Sequence, residues 1–156
     1  MTSLDGEEVA PDPKIEAVNC FFPVYAANDG TAMSAVLAPD IAWTIPGHHP
    51  RSGTKRGLDD VVSFCDQLGT AGFKAEPLFI GSNDEYVVDI HRGWTTRGMG
   101  QGDTMWALVW HFDSDGQVDR MANLSGDQHQ MDNYMWTNFP LAPLPARLAQ
   151  PLKESA

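Results

Sequence analysis

At 156 residues the chain is about one domain long, enough to bury roughly two thirds of its extended surface around a single core. Its 21 acidic residues outnumber 10 basic ones and set the formal charge at −11, which excludes a nucleic-acid partner, because backbone phosphates require clustered Lys and Arg. No apolar run approaches the ~20 residues of a membrane helix, and Met1 to Pro13 has neither a basic start nor an apolar stretch, so the expectation is a soluble, cytoplasmic protein with no membrane partner.

Residues 1–12 are acidic, lack apolar periodicity and read as a disordered arm. Asp12 is then an N-cap and Pro13 the favoured first position of a helix whose Ile15, Val18, Phe21, Phe22 and Tyr25 recur at helical spacing, with Pro23 expected to kink it. Asn28-Asp29-Gly30 stops that helix. Thr31 is expected to cap a short second one, with Met33, Val36 and Leu37 facing inward and Pro39-Asp40 ending it. Ile41 to Ile45 is a strand, followed by the irregular run Pro46 to Gly53 with its His48, His49 and Arg51. Gly57 to Leu68 is a third helix with Leu58, Val61, Val62, Cys65 and Leu68 on one side.

Phe73 to Ile80 is a strand whose Pro77 implies an edge position or a bulge. Tyr86 to Thr96, Thr104 to Asp113 and Gln117 to Ser125 then form a three-stranded antiparallel meander, rich in β-branched and aromatic residues and bounded by Gly, Asp and Ser clusters. Asp127 caps a last short helix through Trp136, and residues 138–156 form a proline-rich tail outside the domain, which spans residues 13–137. Helices early and a long antiparallel sheet late give an α+β class. The expected architecture is a cone-shaped curved antiparallel sheet on three N-terminal helices, with a short C-terminal helix and a pocket at the open end.

Within the meander, Asp89 and His91 are two apart and share a face, and Asn123 lies on the last strand. Hairpin register decides which way that face points. If Met99-Gly100 are the turn residues, Asp89, His91 and Gly93 join the face of Trp106, Leu108 and Trp110. If Gly100 is the centre, Arg92 and Trp94 join it instead. Five Trp, seven Phe and seven Met are a generous stock for a small domain and suit a pocket for a flat apolar ligand. Cys20 and Cys65 read as buried free thiols. No Cys/His cluster has zinc-like spacing and no phosphate-loop or dinucleotide glycine pattern appears, so neither a metal nor a cofactor is expected.

Asn28-Asp29-Gly30, Leu37-Ala38-Pro39-Asp40, the stretch Trp43 to Gly53, Arg56-Gly57 and Phe112-Asp113-Ser114-Asp115-Gly116-Gln117-Val118, in that order and spacing, resemble the nuclear-transport-factor-2-like superfamily. That superfamily holds ketosteroid isomerase, limonene epoxide hydrolase and the SnoaL-like polyketide cyclases, and the likeness runs from about Ile15 to Trp136. The resemblance implies the cone fold, and fold alone decides little about function. The steroid isomerase's catalytic base falls at Ile45, its tyrosine near Phe22 and its protonated aspartate near Leu108, so that triad is missing. The cyclases' acidic position looks like Asn123. The epoxide hydrolase's Arg and Asp positions come closest to His91 and Gly93.

By elimination His91 is the candidate acid or base, with Asp89 orienting it and Asn123 contacting a substrate oxygen. Tyr25, Phe22, Trp43, His49, Trp106, Leu108, Trp110 and Met121 are the expected substrate-binding residues. Two readings stand side by side. One is a cofactor-independent isomerase, cyclase or hydrolase of a hydrophobic oxygenated small molecule. The other is a non-catalytic binding protein with the same pocket. A homodimer is expected through the convex face, with Met105, Ala107 and Val109 pointing outward.

Overall fold

A computed structural model describes residues 10–140. Most of the 1–12 arm and of the 138–156 tail lies outside the described residues. Ten elements follow in order: α1 (Pro13–Ala26), α2 (Gly30–Met33), β1 (Leu37–Ile45), β2 (Gly53–Arg56), α3 (Leu58–Gly69), β3 (Phe73–Ser82), β4 (Tyr86–Thr95), β5 (Asp103–Phe112), β6 (Val118–Ser125) and α4 (Gln128–Asn138). The strands form one curved, unclosed sheet in the order β2-β1-β6-β5-β4-β3. The β1–β6 pair is parallel and the rest are antiparallel. This is the α+β cone expected from the sequence.

Local chemistry explains most boundaries. The Asp12 carboxylate accepts from Lys14 N–H at 2.9 Å and Pro13 opens α1, which runs through Pro23 to Ala26. The cap of α2 is Asp29, not Thr31: its carboxylate accepts from Ala32 N–H at 3.0 Å, and the helix already begins at Gly30, two positions earlier than a Thr31 cap allows. Leu37 to Asp40 belong to β1 rather than to a second helix. Pro39, with no N–H to give the ladder, sits where the β1–β6 register shifts between Leu37 and Ala42. The sequence also hid β2. Its four residues, Gly-Thr-Lys-Arg, have no apolar alternation, and such short, charged strands are suited to a sheet edge. At the other edge β3 carries Pro77 at a register shift, as the proline implied.

The core lies between the concave face of the sheet and the helices. Phe21 of α1 meets Trp110 edge-on at 5.2 Å between centroids and Trp43 at 6.2 Å, and Trp43 in turn meets Phe64 of α3 at 5.9 Å. Trp110, Val18, Val61, Val87 and Val118 are fully buried. Both cysteines are free and Cys65 is buried, but Cys20 is exposed, on the side of α1 turned away from this core.

Candidate functional site

The concave face of the sheet, α1, α3, the loop from 46 to 52 and α4 enclose a cavity of about 740 Å³. Its position follows from pairing. In the β4–β5 ladder Asp89 stands opposite Leu108, His91 opposite Trp106 and Gly93 opposite Thr104. In the β5–β6 ladder Leu108 stands opposite Asn123 and Trp110 opposite Met121. Period-2 alternation therefore puts Asp89, His91, Trp106, Leu108, Trp110, Met121 and Asn123 on the concave face. The hairpin register is two residues away from a Met99-Gly100 turn, with Thr95 N–H donating to Gly102 O at 2.8 Å and residues 96–101 forming the loop. A slip of two leaves every side chain on its face.

Asp89 is 4 % exposed, and both of its oxygens are engaged. Oδ2 accepts from Trp110 Nε1–H at 2.7 Å, and Oδ1 lies 2.7 Å from His91 Nδ1. An ionised carboxylate only accepts, so the proton on neutral His91 sits at Nδ1. That leaves Nε2 as a lone-pair base, with no partner among the described residues, on a ring that lines the cavity. Phe22 meets this imidazole edge-on at 6.2 Å. Gly93 makes room beside it: a Cβ there would stand 2.8 Å from Trp106 Cδ1 and 2.9 Å from Nε1, so any other residue would displace that indole.

The opposing polar group is Asn123. Its Oδ1 accepts from Trp43 Nε1–H at 2.7 Å, and because an indole N–H is only a donor, this contact fixes the amide orientation. Nδ2 is left as a donor without a partner among the described residues, as is Trp106 Nε1. Asn123 lies two strands from His91, roughly 10 Å across the sheet, a separation a small substrate can bridge.

His49 is 8 % exposed and lines the cavity, contrary to the solvated state usual for a loop histidine. Its Nδ1 accepts from Arg51 N–H at 3.1 Å, which puts the proton of the neutral ring on Nε2. Burial pulls its pKa below the ordinary value, against the pull of Asp132. Burial, with Cys65 nearby, pushes the Tyr25 phenol well above its ordinary range. Burial also pushes the Cys65 thiol up to about 12. Neither group ionises near neutrality.

Of the expected substrate-binding residues, Tyr25, Phe22, Trp43, His49, Trp106 and Leu108 line the cavity. Trp110 and Met121 do not. Both face inward, but Phe21 lies against Trp110, so these two form the layer beneath the wall. Ile45, Phe22 and Leu108, which the sequence resemblance set against the steroid isomerase's acid–base groups, all line the cavity as apolar residues. The sequence reading missed Phe64 and Leu68 of α3, and Gln128, Met131 and Met135 of α4. Helical spacing put Leu68 on the inward side of the third helix, but nothing in the sequence marked any of these residues as cavity wall. The contacts that seat the loop on α4 had no sequence signal either. His48 N–H donates to Asp132 at 3.2 Å, Trp136 Nε1–H donates to His48 O, and Gly47, at φ 99°, leaves space that Asp132 and Gln128 fill.

Among the described residues no group of three or more His, Cys, Asp or Glu could hold a metal, and no helix is long and apolar enough to cross a membrane.

Neither a protein-family model nor a curated protein matches the sequence. Solved structures do. A nuclear-transport-factor-2-like protein of unknown function from Burkholderia pseudomallei superimposes with a TM-score of 0.71 at 23% identity, covering 80% of this chain and 98% of that one. TerC co-crystallized with polyporic acid gives 0.68 at 21% identity, over 80% and 98% of the two chains. A Sinorhizobium meliloti protein provisionally named a polyketide cyclase gives 0.59 at 18% identity, over 70% and 94%. The chain thus has the nuclear-transport-factor-2-like fold that its motifs resembled.

Proposed function

We propose that the protein is a cofactor-independent acid–base enzyme, an isomerase or cyclase of a hydrophobic oxygenated small molecule, in which His91 Nε2 takes a proton from carbon beside a carbonyl. The observation that carries this reading is the chain Trp110–Asp89–His91, two contacts of 2.7 Å that hold a basic nitrogen on the cavity wall. In the proposed step the C–H electron pair moves into the carbonyl, whose oxygen becomes an enolate accepting from Asn123 Nδ2. The imidazolium formed is stabilised by Asp89. Return of the proton to another carbon completes an isomerisation. Attack of the enolate carbon on a second carbonyl, whose oxygen takes up the C=O electron pair and then the proton held by His91, completes a cyclisation and restores the base. General acid–base help of this kind is worth about 10²- to 10⁴-fold. Likeness to TerC with its polyporic acid and to a protein named a polyketide cyclase supports the ligand class.

The second reading, a non-catalytic binder, is favoured by one observation: the apolar Ile45, Phe22 and Leu108 on the cavity wall. Hydrogen–deuterium exchange at enolisable positions separates the two. A panel of aromatic ketones would be incubated with protein in D₂O and followed by NMR. The enzyme reading expects exchange in the wild type and a loss of at least about 10²-fold in His91→Ala with the fold intact. Equal exchange rates for the two proteins refute the role of His91. Saturable binding with no exchange leaves the binder.

A further inference from the structure

The proposed step uses His91 and Asn123 and leaves a third polar group of the cavity wall, Trp106 Nε1–H, without a task. Trp106 stands directly opposite His91 in the β4–β5 ladder, and both line the cavity. A Cβ on Gly93 would meet Trp106 Cδ1 at 2.8 Å, Trp106 Nε1 at 2.9 Å and then His91 Cδ2 at 3.6 Å. Every other indole atom is at least as far from that point as His91 Cδ2, so the indole turns its N–H edge, not its face, toward the strand beside His91. Gly93 admits this placement, since a side chain there would push the edge away. In the imidazole ring Cδ2 is bonded to Nε2, the nitrogen left as a lone-pair base. The donor of Trp106 and the acceptor of His91 therefore border one spot on the cavity wall.

Both groups are open to a ligand. Among the described residues Arg51 Nε is the one fully buried side-chain nitrogen or oxygen without a hydrogen bond. Trp106 Nε1 and His91 Nε2 have no partner there either, so each must reach the surface of the cavity that their residues line. An indole N–H only donates, and the Nε2 of an imidazole protonated at Nδ1 only accepts. A group that complements the two must donate and accept through one atom. A hydroxyl does so. A ketone oxygen would satisfy Trp106 alone and set its lone pairs against Nε2, and a carboxylate would in addition be repelled by ionised Asp89 behind the imidazole. An ammonium would satisfy His91 alone.

We propose that His91 Nε2 and Trp106 Nε1–H form a hydroxyl-binding subsite, in which a phenolic or enolic hydroxyl of a flat ligand donates to His91 and accepts from Trp106. Phe22, edge-on to the imidazole at 6.2 Å, supplies apolar wall for the ring that carries the hydroxyl. Asn123 Nδ2 remains as a donor for a second oxygen of the same ligand, farther along the sheet. A hydroxyl seated at His91 takes up the lone pair that the proposed step needs, so ligands of this class compete with a C–H substrate. The inference rests on the cavity being the ligand site, as in the proposed function, and on the His91 tautomer, and not on His91 taking a proton from carbon.

The full chain would be titrated calorimetrically with 2-naphthol, which donates and accepts, and with 2-acetylnaphthalene, which only accepts. Asp89→Asn should move the His91 proton to Nε2 and turn the acceptor into a second donor, and Trp106→Phe deletes the first donor. The ratio of naphthol to ketone affinity should fall by at least about tenfold in Asp89→Asn, equivalent to about 1.4 kcal/mol, and by at least about fivefold in Trp106→Phe. General damage to the cavity would weaken both probes alike and leave the ratio where it was. A ratio unchanged in either variant overturns the subsite and leaves His91 as a base to be judged by the exchange assay in D₂O. If either variant fails to fold, the wild type decides: naphthol should shift the Trp106 indole N–H and the His91 Nε2 resonances together, and a ketone that moves both as far overturns the subsite. Failure of both probes to bind overturns the subsite and the cavity reading together.

Discussion

Replacing Trp110 with Phe tests the physical core of the site. The change keeps an aromatic ring on β5 but deletes the N–H that donates to Asp89 Oδ2 at 2.7 Å. Asp89 is 4 % exposed, so water cannot readily replace the lost donor. A hydrogen bond to a charged group is worth about 1.5–3 kcal/mol. The smaller ring leaves a space in a fully buried position, which adds about 1 kcal/mol. For a domain of this size each kcal/mol moves Tm by about 2–4 °C, so Trp110→Phe should melt roughly 5–15 °C below the wild type. Trp106→Phe is the matched control. It removes an indole from the same face of the same strand, but one whose N–H has no partner among the described residues, and should cost less than about 1 kcal/mol. Differential scanning calorimetry of both variants reads the difference. Equal losses would refute the claim that the Trp110 N–H supports a buried carboxylate, and the tautomer argument for His91 would go with it.

Asp89→Asn should keep the fold but let the new amide donate to Nδ1, moving the His91 proton to Nε2 and lowering proton-abstraction rates by about 10²- to 10⁴-fold; imidazole ¹⁵N shifts that still show an unprotonated Nε2 would contradict this. Under native conditions a thiol reagent should label Cys20, which is exposed, and leave Cys65 unmodified until unfolding, since burial holds that thiol at about 12; two equally fast labels would be inconsistent with the site as described. Because burial lowers the folded pKa of His49 from its ordinary 6.5, the unfolded chain binds the proton more readily, so stability present above that pH is lost as pH falls through the folded value. Urea melts across that window should slope downward toward acid in the wild type and flatten in His49→Asn, which keeps an acceptor for Arg51 N–H. The convex face carries the exposed Met105 and Leu124 beside Val88, Ile90 and Val109, and light scattering should give a homodimer; a clean monomer at micromolar concentration would refute that expectation.

The sequence left the facing of the site open between two turn registers, and the strands pair in neither of them, though with the parity of the Met99-Gly100 turn. A Met99-Gly100 turn would set His91 opposite Leu108, whereas it stands opposite Trp106, a slip of two, and side-chain direction depends only on whether the slip is odd or even. The slip matters for partners. Trp110 is diagonal to Asp89, not opposite it, and only a side chain as long as an indole closes that gap. The pattern of α1 and the meander was legible because apolar period and capping agreed there. Near β1 and β2 they did not: Pro39 imitates a helix stop, and a four-residue polar strand has no period to detect. His49 was expected at the pocket, but nothing local in the sequence marks its burial, which depends on α4 closing over a loop about 80 residues away in the chain, through contacts such as Gln128 Nε2–H to Pro46 O.

The energetic cost of Asp89 bears on what the cavity is for. A pocket meant only to hold an apolar ligand gains nothing from a carboxylate behind its wall, because burying the charge costs several kcal/mol and apolar residues of similar volume usually do as well or better. Trp110 and His91 together offset that cost, and the arrangement then confers one property an apolar wall lacks: an imidazole fixed in the Nδ1–H tautomer, able to accept a proton at Nε2 and to keep it beside a negative charge. Asn123 follows the same logic. Trp43 uses its indole N–H to hold the amide oxygen, which turns the amide N–H₂ into an oriented donor rather than a freely rotating one. The three apolar residues at the steroid isomerase's acid–base positions therefore weigh against that enzyme's chemistry, while the two tryptophan-held polar groups weigh for proton transfer by another route through the same cavity.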